Sequence, residues 1–293
     1  MHANEVDINK EIVAGLVSGQ FPEHANLPIE AVLSSGTDNA LYKLGDELVV
    51  RLPRTAAKEP HIEKEYKWLP KLAPHLPLAI PTPVAIGKPN NKYPFRWATY
   101  NWLEGQPASD MPPSDLSKAA SDLADFIIAL QKIDPTDAPI PKSDYDRGVP
   151  LIRRDLHTRN AIATLEDGSD TDALTAEWQR ALDVPPWHKN PVWIHGDLDG
   201  RNMLVEDGLL SAVIDFGSMG VGDPAYDVMV AWKIFNGESR EAFKEKLQVD
   251  ESTWIRSRGL VLSQAAMILS YYTLKTNPVL VMEAKSWMKE LGF

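Results

Sequence analysis

The chain has 293 residues, 44% of them hydrophobic, no cysteine and a formal net charge of −11. That length exceeds one average domain and suffices for a sizeable core. The missing cysteine excludes disulfides and thiolate metal sites and fits a reducing, cytoplasmic setting. Residues 1–100 carry 11 basic and 11 acidic side chains, so the whole of the −11 falls on residues 101–293. A general nucleic-acid binder has the opposite sign; an acidic half either draws a cationic ligand or serves solubility. Residues 1–10 show no charged-then-apolar signal pattern, and no apolar run reaches the length of a membrane span. The expectation is a cytoplasmic protein with no membrane or nucleic-acid partner, and nothing in the sequence implies a protein partner.

In chain order, residues 5–19 carry Ile8, Ile12, Val13, Leu16 and Val17 at helical spacing, with Gly19 as a stop. Short β-prone runs follow at 29–33, 40–44 and 47–52, an antiparallel meander with Gly45-Asp46 as one turn. Residues 59–72 read as a helix whose apolar face holds Ile62, Trp68, Leu69 and Leu72; Glu65 lies three residues from Ile62 and four from Leu69, on the border of that face. After a proline-rich break, strands return at 82–87 and 95–101. From residue 102 the texture is helical. Ser114 is the expected cap of a helix through Leu130, residues 151–165 and 172–182 form an insert, and helices span 228–235, 239–247, 252–275 and 279–291. Trp232, Trp254 and Trp287 are expected to pack that bundle. Asp144, Asp146 and Asp155 are either an acidic ligand wall or, with Arg153, Arg154 and Arg159, a surface salt-bridge network.

One stretch interrupts the helices. Residues 192–194 form a short apolar run ending in His195-Gly196-Asp197. Two further runs, 203–205 and 209–214, flank Glu206-Asp207-Gly208, a hairpin signal. Asn202 enters that hairpin and Asp215 leaves it, so the hairpin predicts both at one end, with Asp197 five residues before Asn202. Two carboxylates and an amide oxygen are a hard-oxygen set that suits Mg²⁺.

H-G-D-L-x-x-x-N, then I-D-F-G and G-D-P-A-x-D, in that order and spacing, resemble the signature of the aminoglycoside phosphotransferase family, antibiotic kinases related to choline kinases and protein kinases. The resemblance implies an α+β, two-lobed protein-kinase-like fold: an antiparallel β-sheet N-lobe over residues 1–101, a hinge near 100–105, and a mainly helical C-lobe over 102–293. It implies a Mg²⁺-dependent kinase that moves the γ-phosphate of ATP or GTP to a hydroxyl of a small molecule. In this reading Asp197 orients the acceptor hydroxyl or takes its proton, and Asn202 and Asp215 hold Mg²⁺.

By the same resemblance, Ser35, Gly36 and Thr37 form the nucleotide-phosphate loop, although a single glycine makes it glycine-poor. The third strand places Arg51 where such proteins have a phosphate-binding lysine, with Lys43 and Arg54 as rivals; Glu65 is its ion-pair partner. The backbone of Tyr100, Asn101, Trp102 and Leu103 is the base-recognition hinge. His195, Asp223 and Asp227 are expected to brace the loop, Gly217 to relieve Cβ strain, and Asp199 and Arg201 receive no role. An aminoglycoside, a polycation, fits the acidic half; a macrolide, an amino sugar or a choline-like amino alcohol are the alternatives, and a nucleotide-binding pseudokinase is a third reading.

Overall fold

The computed structural model describes residues 5–32, 38–144, 146–165 and 170–293. They divide into two compact units, one of residues 1–106 with 211–217, the other of residues 107–210 with 218–293.

The first unit is built on a five-stranded antiparallel sheet in the order β1-β2-β3-β5-β4, with β1 Ile29–Ala31, β2 Asn39–Leu44, β3 Leu48–Pro53, β4 Pro83–Gly87 and β5 Trp97–Asn101. Alternation sets its two faces. Val50 and Leu52 are fully buried in a core with Val13, Leu16 and Val17 of helix α1, Lys10–Gln20. Arg51, between them in sequence, points the other way, and helix α2, Glu59–Leu72, supplies its partner there. Asn9 caps α1 by accepting from Ile12 N, so the helix begins later than the expected residue 5. Residues 211–217 join this unit because Ala79 pairs with Ala212, with Val213 N donating to Ala79 O at 2.9 Å.

The second unit centres on the 21-residue helix α9, Glu251–Tyr271, packed by α4 (Asp155–Ala163), α5 (Thr171–Asp183), α6 (Ala225–Val228) and α10 (Pro278–Leu291). Helix α3, Leu116–Lys132, packs on α8, Gly237–Leu247, and on strand β7, Val192–Ile194. Its N-cap is Asp115, which accepts from Lys118 N; the expected cap, Ser114, instead donates its hydroxyl to Gly208 O. Asp207 and Gly208 both have positive φ, 50° and 80°, as a tight two-residue hairpin turn requires. Strand β7 pairs antiparallel with β10, Gly220–Gly222. The expected helix at 228–235 is split into α6 and α7, Val230–Lys233. A buried bidentate pair, Asp223 to Arg256 at 2.7 and 3.1 Å, ties α9 to the start of α6. No helix among the described residues is long and apolar enough to cross a membrane.

Candidate active site

In the first unit the charged residues gather around Arg51. Its Nη1 donates to both Glu65 oxygens at 2.6 and 2.7 Å, and Nη2 donates to Asp215 Oδ1 at 3.1 Å. Asn39, with its amide oxygen turned toward the guanidinium, accepts from Nε and Nη2 at 3.2 and 3.0 Å. Glu65 is fully buried on the inner face of α2 with Ile62, Trp68, Leu69 and Leu72. A buried carboxylate needs a counter-charge and filled lone pairs, and Tyr100 completes the set by donating its hydroxyl to Glu65 Oε2 at 2.7 Å. Burial opposes the charge on Arg51, but Glu65 and Asp215 more than offset it and hold its pKa above the ordinary arginine value. Burial raises the Tyr100 hydroxyl well above its usual pKa, and the neighbouring Glu65 raises it further, so it stays a donor.

Asp215 has φ of +61°, a left-handed conformation that aspartate tolerates better than most residues. Two residues of α2 hold the turn that follows. Lys64 Nζ donates to Gly217 O at 2.6 Å, and a Cβ on Gly217 would lie 2.8 Å from His61 Nδ1. Gly217 thus escapes the crowding a Cβ would meet, as expected, while the positive φ of this turn belongs to Asp215. His61 is pushed down to about 4, chiefly by burial and then by Lys64, Lys58 and Arg51.

The hinge residues are placed as follows. Tyr100 turns its side chain to Glu65. Asn101 N donates to Thr82 O at 3.0 Å while its side chain accepts from Thr82 N, and Trp102 N donates to Glu47 O at 2.7 Å. The backbone N–H groups of Asn101 and Trp102 are thus already engaged. Lys43, the rival of Arg51, lies over the Trp102 ring at 4.7 Å and 3.7 Å from Glu104. Ser35, Gly36 and Thr37 lie outside the described residues.

In the second unit the loop after β7 is fixed from several sides. Asp227 accepts from His195 N and Gly196 N at 2.8 and 2.7 Å. Burial raises its carboxyl, while His195 and those two N–H groups act in the opposite direction. His195 is fully buried, and its Nδ1 accepts from Asp197 N at 3.2 Å, which requires that nitrogen to be unprotonated. Asn202 donates Nδ2 to Asp197 O at 2.8 Å, leaving Oδ1 turned away from that bond. Asp197 keeps about a third of its side chain exposed, with Oδ1 accepting from Arg147 Nη2 at 3.3 Å.

Three further charges surround this loop. Arg201, given no role by the sequence, binds Asp199 at 2.6 Å and approaches Glu283 of α10 at 3.8 Å. Lys233 reaches Leu198 O at 3.3 Å and lies over Trp287 at 4.9 Å. Burial lowers its pKa, with Asp199 and Asp197 acting in the opposite direction. The insert aspartates are paired locally: Asp144 with Arg153, and Asp155 with Arg159 at 2.7 Å and with Trp178 Nε1 at 2.8 Å, while Asp146 accepts from Lys142 N and Ser143 N. Asp144 and Asp155 thus form two local ion pairs of the expected network, while Arg154 is buried and donates to Met267 Sδ at 3.7 Å.

Among the described residues no group of three or more His, Asp or Glu side chains could hold a metal ion. The donor chemistry still suits Mg²⁺, which takes one or two carboxylates and fills its shell with water and phosphate oxygens. Asp215 offers a half-exposed carboxylate.

An antiparallel sheet carrying an Arg–Glu pair, and a helical unit carrying a braced His-Gly-Asp loop, are the two parts of a kinase-like fold. The pattern of the phosphotransferase enzyme family matches residues 30–260, and the chain belongs to that family, whose reaction places phosphate on a hydroxyl. An aminoglycoside 3′-phosphotransferase of Salmonella typhimurium is 24% identical over 128 residues, 43% of this chain and 46% of that protein, so the match spans a little under half of the relative. The GDP complex of wild-type aminoglycoside 2′-phosphotransferase-IIIa is similar with a TM-score of 0.76 at 20% identity, covering 97% of this chain and 99% of the other. The apoenzyme of macrolide 2′-phosphotransferase MphH from Brachybacterium faecium gives 0.63 at 19% identity, over 94% and 96%. At such identities the likeness establishes the fold.

Proposed function

We propose that the protein is a Mg²⁺-dependent kinase that transfers the γ-phosphate of ATP or GTP to a hydroxyl of a small molecule, with an aminoglycoside as the first candidate acceptor. The observation that carries this reading is the Arg51 fork, which holds Glu65 with one nitrogen and Asp215 with the other. A kinase-like fold uses such a constellation to keep a cation for the nucleotide phosphates in register with a metal-binding aspartate.

In the reaction the acceptor oxygen attacks the γ-phosphorus, the bond from that phosphorus to the β–γ bridging oxygen breaks, and the products are a phosphate ester and the nucleoside diphosphate. Asp197 orients the hydroxyl and receives its proton, which then passes to solvent. Mg²⁺ would be held by Asp215, with Asn202 assigned the same role by the family motif; the metal offsets charge on the phosphates. Arg51 is the nucleotide-side cation. Ser35, Gly36 and Thr37 are proposed for the phosphates and the backbone of Tyr100, Asn101, Trp102 and Leu103 for the base.

Support for a cationic acceptor comes from the acidity of residues 101–293 and from the aminoglycoside enzymes to which the chain is similar. A macrolide is the second reading. It is favoured by the local pairing of Asp144 and Asp155, which leaves fewer free carboxylates for a polycation. Release of ADP or GDP in the presence of Mg²⁺ and a panel of aminoglycosides, macrolides and amino alcohols tests the reading. Acceptor-dependent release is expected, and nucleotide binding without release from any acceptor would favour a pseudokinase.

A further inference from the structure

Arg147 stands fifty residues before the loop it touches, and nothing in the family motif assigns it a role. Its contact with Asp197 is 3.3 Å long, with the two side chains 24% and 30% exposed. An ion pair so open to water contributes little to stability, yet the chain on both sides of Arg147 is tightly fixed. On one side the Asp146 carboxylate accepts from Lys142 N and Ser143 N at 2.6 and 2.9 Å. On the other, Gly148 has φ of +88° and sits so close to Gly222 that a Cβ there would lie 2.4 Å from Gly148 O. Asp223 N donates to the same carbonyl at 3.2 Å, and Asp223 is locked by the buried Arg256.

The stem of Arg147 is fixed as well. Gly196, with φ of +82°, lies beneath it, and a Cβ at that position would stand 2.8 Å from Arg147 Cβ. Backbone, stem and head group are thus all directed at one carboxylate oxygen. We propose that Arg147 is a positioning residue, which holds Asp197 Oδ1 so that Oδ2 is presented to the acceptor hydroxyl. The proposal rests on the phosphotransfer reading for its purpose, though not for its geometry. Phosphoryl transfer asks chiefly for alignment of the hydroxyl, because its loose transition state needs little from a strong base, so a carboxylate held in one orientation serves it.

The test uses the full chain in two independent measurements. Crystal structures of the wild type and of Arg147→Ala report the Asp197 side chain: a single orientation in contact with Arg147 is expected in the wild type, and a rotated or multiple orientation in the variant. The same orientation in both overturns the proposal whatever reaction the protein performs. Release of ADP or GDP from the Mg-nucleotide is then followed with kanamycin as hydroxyl donor and with water alone. Arg147→Ala is expected to lower kcat by about 10–100-fold with nucleotide KM within about twofold. Arg147→Lys should recover part of the rate, and millimolar guanidinium should restore part of it in the alanine variant. A loss that guanidinium does not relieve, accompanied by a matching fall in Tm, marks a purely structural residue and overturns the proposal. Absence of product release from the wild type would count against the phosphotransfer reading, and the crystallographic comparison would still decide the role of Arg147.

Discussion

Arg51 Nη2 donates to Asp215 Oδ1 at 3.1 Å, so a side chain on the third strand touches the carboxylate proposed for the metal. The same guanidinium carries the buried Glu65 on its other nitrogen. Lysine offers a single nitrogen in place of the fork's two, so it cannot give each carboxylate a nitrogen of its own. Arg51→Lys is therefore expected to keep the fold but to weaken Mg-nucleotide binding by about tenfold, the equivalent of one charge-assisted hydrogen bond. Arg51→Met, which strands Glu65 in the core, is expected to destabilise by about 3–5 kcal/mol. Urea unfolding and nucleotide titration measure the two effects; a methionine variant within about 1 kcal/mol of wild type would contradict a pair of the buried kind.

The loop before Asp197 depends on Asp227, whose two oxygens satisfy two buried backbone N–H groups. Asp227→Ala leaves both donors without an acceptor and is expected to cost about 2–4 kcal/mol, given about 1.5–3 for each hydrogen bond to a charged group and partial relaxation. Asp227→Asn retains one acceptor oxygen and should cost less. Chemical denaturation of the pair sets the order, and equal losses would mean that the carboxylate is not the anchor.

His61 gives a pH signature. Its folded-state pKa of about 4 lies below the ordinary value of 6.5, so between those values the unfolded chain binds more protons than the folded one. Stability therefore rises with pH through that window and is lost as pH falls from about 6.5 toward about 4. His61→Gln, which cannot titrate, should show a shallower decline of Tm over the same range. Parallel Tm curves would show that His61 is not protonated on unfolding there.

Asp215→Asn removes a negative charge both from Arg51 and from the proposed Mg²⁺ site. Nucleotide binding should lose most of its dependence on Mg²⁺, by about tenfold or more in affinity at millimolar metal. A variant that binds nucleotide with unchanged metal dependence would remove Asp215 from the ligand set.

The sheet and most helices were legible in the sequence because each rests on local periodicity, and the Arg51–Glu65 pair because the family resemblance implies it, at positions periodicity allows. Arg51 alternates with Val50 and Leu52, and Glu65 sits at helical spacing from Ile62 and Leu69. What escaped depends on tertiary contact between residues far apart in the chain. Arg147 meets Asp197 across fifty positions, Glu283 reaches Arg201 from the last helix, and Lys233 arrives from a short helix whose break at Met229 no propensity announces. Each is an ordinary charged residue in sequence, indistinguishable from a solvated one. The cap of α3 was misplaced by one residue because Ser114 and Asp115 are equally good caps locally, and a hydrogen bond to Gly208 takes the serine away. Tyr100 was read through its backbone, while its hydroxyl serves Glu65.

The most direct test of the central claim is acceptor-dependent release of ADP or GDP by wild type and by Asp197→Asn, each with Mg-nucleotide at saturation. The account predicts release by the wild type, a loss of about 10²–10⁴-fold in the variant, and nucleotide affinity near normal in both. Substantial transfer by Asp197→Asn would contradict it.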